Sequence, residues 1–219
     1  MRKITYALSI AFLAVGMASC AKSTNRKVSN EWKVVSYLKT ESYQVTGAGY
    51  SNSTTTNIQE TSFTQQFVSN DDGMVVTTNY QGTVNAHMFS IKKDGTWSMI
   101  RDLTSDTGGN SEQKNVTEQT GTWTFVGKTK GDEFKKNERI LFNTLTEKLT
   151  STQSNNSTVV SQFITNKTYL AGENVQIFTI KESKKKELQL ESVNDVSITM
   201  DNGSSNINNE SVSMTLQEK

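Results

Sequence analysis

A chain with a single histidine, His87, and a single cysteine, Cys20, has little from which to build a catalytic centre. A Ser-His-Asp arrangement would have to use His87, because a hydroxyl nucleophile needs a base beside it. His87 stands in an alternating stretch with Phe89 and Ile91, where a histidine is far more often packed and hydrogen-bonded than catalytic. One imidazole and one thiol exclude a metal site built on two histidines or on several thiolates. Oxygen-only calcium sites stay open at Asn70-Asp71-Asp72-Gly73 and Asp201-Asn202-Gly203. Neither has EF-hand spacing, and both read first as turns. Asp and Glu are plentiful enough for a glycosidase pair, yet no spacing selects one. The expectation is a protein that is not an enzyme, with no catalytic residue, metal or cofactor.

Binding chemistry is better represented. Trp97, Met99 and Arg101 share one strand parity, as do Trp123 and Phe125. These five are the candidate ligand-binding residues. An arginine on an otherwise apolar face is costly unless paired, and one use for it is to hold a ligand carboxylate inside a barrel. The competing reading places Arg101 at the strand end, snorkelling to water. The aromatics likewise either fill a small barrel or line its cavity.

The amino terminus speaks to location. Arg2 and Lys3 precede an apolar run from Ile4 to Gly16, followed by Met17-Ala18-Ser19-Cys20. That pattern is a secretory signal, and its core is shorter than the ~20 residues of a membrane-spanning helix. Met17 to Cys20 resembles the bacterial lipobox, which implies cleavage before Cys20 and lipidation of its thiol. The expected organisation is a signal peptide at 1–19, a lipidated tether at 20–30 and one domain at 31–219. Cleavage would remove two of the 23 basic side chains and none of the 22 acidic ones, leaving a slight acidic excess. With no basic excess or stripe, nucleic acid is an unsuitable partner. The Asn115-Val116-Thr117 and Asn166-Lys167-Thr168 triplets would accept glycans only on a eukaryotic secretory route, against which the lipobox argues.

Any such residues must be positioned by strands. The sequence has no proline, where about ten would be usual, and is rich in Thr, Ser, Asn, Val and Ile. From Glu31 onward the pattern is period two. Trp32, Val34, Ser36 and Leu38 share a face, and Phe63, Gln65 and Phe67 alternate before Asn70 to Gly73. Lys92-Lys93-Asp94-Gly95 is the strongest hairpin signal, an Asp-Gly turn between apolar runs. Gly121 to Gly127 reads as a short strand, Arg139 to Thr152 as a long one, and Lys184-Lys185-Lys186 as a solvated hairpin tip. At the end, Val196, Ile198 and Met200 are expected to face Val212, Met214 and Leu216 across a polar loop from Asp201 to Ser211. No stretch has helical periodicity, and Gly131 to Glu138 reads as a loop. The predicted fold is all-β: an antiparallel up-and-down barrel of about 8–10 strands, closed so as to hide its edges.

The order Phe89 to Trp97 around an Asp-Gly turn, then Gly121-Thr122-Trp123, Arg139 to Leu145 and Phe178 to Leu190 resembles the lipocalin-like domains of many Bacteroidetes lipoproteins. Trp32 would open the first strand. The chain has Asn30-Glu31-Trp32 where true lipocalins have Gly-x-Trp, and its last arginine is Arg139, so the resemblance is to the looser, lipocalin-like group. It implies a calycin-type barrel and brings no catalytic residues. The leading expectation is a lipoprotein of the outer membrane, facing the periplasm, that binds a small apolar or amphipathic ligand. The alternative is an interaction or assembly module with a filled barrel, binding protein or glycan through its loops.

Overall fold

The alternating pattern and its turn residues become eleven strands among the described residues. They are β1 (Glu31–Val45), β2 (Tyr50–Gln59), β3 (Ser62–Asp71), β4 (Met74–Ile91), β5 (Thr96–Gly108), β6 (Ser111–Phe125), β7 (Arg139–Asn155), β8 (Thr158–Thr168), β9 (Val175–Ser183), β10 (Glu187–Thr199) and β11 (Ser205–Glu218). This computed structural model describes residues 28–46, 49–126, 138–199 and 204–219. Cys20, the leader, most of the tether, Gly127, residues 131–137, Met200 and the Asp201-Asn202-Gly203 turn lie outside the described residues.

Every ladder is antiparallel, and strand follows strand around the sheet until β6 pairs with β7 and β11 returns to β1. The result is a closed barrel of ten strands, with β8 added outside the ring along β7. The two ends differ. At one, β1 pairs directly with β4 through Trp32↔Phe89 and bypasses β2 and β3, so eight strands close the ring there. At the other, the β2–β3 hairpin is inserted and the barrel widens.

Turn chemistry sets the hairpins. Asp94 caps its own turn, its carboxylate accepting from the backbone and hydroxyl of Thr96 at 2.9 and 2.6 Å, while Gly95 takes φ +86. Asp72-Gly73 and Asn156-Ser157 form two-residue connections with positive φ at both residues, the geometry that matches strand twist. At Gly121 the β6 backbone passes so close to β7 that a Cβ would lie 1.9 Å from the Asn143 carbonyl oxygen, so only glycine fits.

Bulges decide which face a side chain takes, because one extra residue inverts the alternation. The register of β1 shifts between Val34 and Ser36. Trp32 and Val34 point inward, but beyond the shift Tyr37 and Lys39 do, and Leu38 is 45% exposed. The expectation that Ser36 and Leu38 share the face of Trp32 is corrected accordingly. The final hairpin is also corrected. Val212, Met214 and Leu216 pair with Ser192, Leu190 and Leu188, whereas Val196 and Ile198 pair with Asn208 and Asn206. The polar run from Ser205 is strand, not loop, because ladder hydrogen bonds hold it without an apolar face.

The core fills the narrow end. Trp32, Ile140, Leu188 and Leu216 are fully buried there, and the Trp32 indole donates to the Val28 carbonyl at 2.8 Å. Above Thr179↔Glu191 the β9–β10 ladder stops, and no ladder joins β8 to β10 among the described residues. The wide end is therefore split along one side.

Candidate ligand-binding site

A cavity of about 750 Å³ occupies the barrel above this core. Its floor is aromatic. Phe89 stacks on Trp97 at 5.8 Å, Phe142 meets Trp97 edge-on at 5.1 Å, and Phe178 meets Phe142 at 5.8 Å. Cross-strand alternation explains the cluster: Phe89, Trp97, Phe142 and Phe178 are inward residues of β4, β5, β7 and β9. Met99, Val212 and Met214 continue the apolar wall upward.

A polar belt lies above. Lys39 forms ion pairs with Glu41 at 2.8 Å and Glu210 at 3.0 Å. Burial works against its charge, but the hydrogen bonds to these carboxylates outweigh that and raise its pKa. Glu147 accepts from Gln119 at 2.7 Å and pairs with Lys167 of β8 at 3.3 Å. Glu210 also accepts from Gln176 at 3.0 Å, which ties β9 to β11 across the inside.

Arg101 lies in this belt, half-buried in the cavity wall and in register with His87 on β4 and Thr117 on β6. Its guanidinium has no carboxylate within 4 Å and donates no hydrogen bond among the described residues. His87 is only 3% exposed and packs edge-on against Tyr37 at 5.5 Å. Burial, assisted by the neighbouring Arg101 charge, pushes its pKa down to about 3, so the imidazole is neutral. Its Nδ1 is buried without a partner. His87 is thus packed as its sequence context suggests, but not hydrogen-bonded. Burial raises the pKa of Tyr37 despite the opposing effect of Arg101, so its hydroxyl keeps its proton.

Of the five candidate residues, Trp97, Met99 and Arg101 line the cavity. Trp123 and Phe125 do not: they meet edge-on at 5.4 Å near the β4–β5 turn, where the Trp123 indole donates to the Lys92 carbonyl at 2.8 Å. Sequence reasoning missed Tyr37, Phe142 and Phe178. The bulge in β1 hid the first, while the other two are ordinary strand aromatics until β7 and β9 are paired. Among the described residues no three His, Cys, Asp or Glu side chains gather as metal ligands. The arrangement can enclose an apolar body and offer polar contacts partway up. Comparison with family models, with curated proteins and with solved structures returns no match.

Proposed function

We propose that this protein is a non-enzymatic, lipid-anchored, lipocalin-like lipoprotein that takes a small apolar or amphipathic ligand into its barrel. One observation carries the reading: a 750 Å³ cavity over a floor of four aromatic rings, in a barrel whose narrow end is already filled. The cavity's volume falls in the usual range for ligand pockets, about 300–1,000 Å³, and its apolar floor lies under a polar upper wall, which suits an amphipath better than a purely apolar molecule. The lipobox-like Met17 to Cys20 and the resemblance to lipocalin-like lipoproteins support the anchor and the compartment, an outer membrane facing the periplasm.

A second reading, docking of another protein or a glycan at the rim, draws on β8. That strand is exposed on both faces, has one edge unpaired among the described residues, and leaves Phe163 71% exposed. Titration with a neutral naphthylamine dye separates the two. Saturable binding, with energy transfer that falls in W97F because Trp97 is the one tryptophan of the cavity wall, is the expected result. Absence of saturable binding would overturn the cavity reading in favour of the rim.

A further inference from the structure

The cavity wall has an imbalance that points to its ligand. Each carboxylate in the belt is already engaged: Glu210 with Lys39 and Gln176, Glu147 with Lys167 and Gln119. Lys39 is likewise held between Glu41 and Glu210. Among the described residues, Arg101 alone of the charged side chains of the wall has no counter-charge. A cation drawn partly out of water without a partner is a net cost to the fold, and an anion placed beside it relieves that cost.

Two further groups converge there. His87 faces Arg101 across the β4–β5 ladder, and Tyr37 packs against His87 with rings 5.5 Å apart. Neither side chain makes a hydrogen bond among the described residues, although both line the cavity. Because His87 is neutral, it adds an N–H and a lone pair and no second positive charge. The cluster therefore has one positive charge, a rigid guanidinium fork and two neutral hydrogen-bonding groups. That set suits one singly charged, planar acceptor such as a carboxylate, and suits a dianion poorly.

We propose that the ligand is a monoanionic amphipath whose head group is seated by Arg101, His87 and Tyr37, with its tail running down β5 past Met99 to the Trp97–Phe142 floor. This rests on the cavity-binding reading above. From Arg101 to Trp97 is four residues of strand, about 13 Å. A medium-length alkyl chain spans that depth, and a longer one must bend or leave through the split between β9 and β10. Tyr37 and His87 act here as specificity residues, and Arg101 as the charge that selects acid over alcohol.

Calorimetric titration of decanoate and of decanol, its neutral counterpart, tests this on the wild type, R101M, R101K and Y37F. Decanoate affinity should fall about tenfold or more in R101M and less in R101K, while decanol binds all four alike. Y37F, which loses only a hydroxyl, should weaken decanoate several-fold and spare decanol. Unchanged decanoate binding in R101M overturns the seat but leaves the cavity reading standing. An equal loss for both ligands also overturns it, since packing and not charge would then be at work. Failure of the wild type to bind either ligand overturns the cavity reading and the seat together. If R101M does not fold, R101K and Y37F decide the matter by the same acid-to-alcohol comparison.

Discussion

His87 shows how much one residue's surroundings can decide. In an unfolded chain its imidazole takes up a proton near pH 6.5, whereas in the barrel it stays neutral down to about pH 3. Across that interval the unfolded state binds more protons, so stability is full above the unfolded pKa and is lost as pH falls. The loss should approach about 1.4 kcal/mol per pH unit. Since His87 is the only histidine, no other side chain ordinarily titrates between about pH 7 and 5. Urea denaturation over that window should show the decline, and H87N should flatten it. A wild-type protein equally stable at both ends would mean that the imidazole is not held neutral.

At the level of the strand, parity makes the sharpest claim. Trp123 is buried and its neighbour Thr122 exposed on β6. W123A should cost ~3–5 kcal/mol through loss of a large aromatic and of its bond to Lys92. T122A should stay within about 0.5 kcal/mol. Thermal and chemical denaturation of the two variants would show it, and similar losses would contradict the alternation. The same elements show what a sequence can reveal. Asp94-Gly95 and Asp72-Gly73 were legible as turns because only a few residue types tolerate their backbone angles. Trp97, Met99 and Arg101 were legible as one face because no bulge separates them. Tyr50–Gln59 was not legible as a strand, since its Ser, Thr and Asn give no alternation to read, and only pairing on both sides makes it β2. Tyr37 was missed for a different reason. A one-residue bulge leaves no mark in composition and yet inverts everything after it.

For the whole molecule, the proposed anchoring has the largest consequence. If Cys20 carries the lipid, C20A should leave the precursor uncleaved and release the protein from the detergent-extracted membrane fraction. Normal processing and retention of that variant would exclude the anchor. Val28 gives such an anchor a direction. It is fully buried with the core at the eight-stranded end, its carbonyl held by the Trp32 indole. The run from Cys20 to Val28 reaches at most ~30 Å when extended. On such an anchor the filled base, and not the open end, would be the part of the barrel tethered within that distance of the lipid. The proposed cargo would then meet the cavity's opening away from the tethered end, so that delivery through the aqueous side, by diffusion or from a soluble carrier, is the route this placement favours.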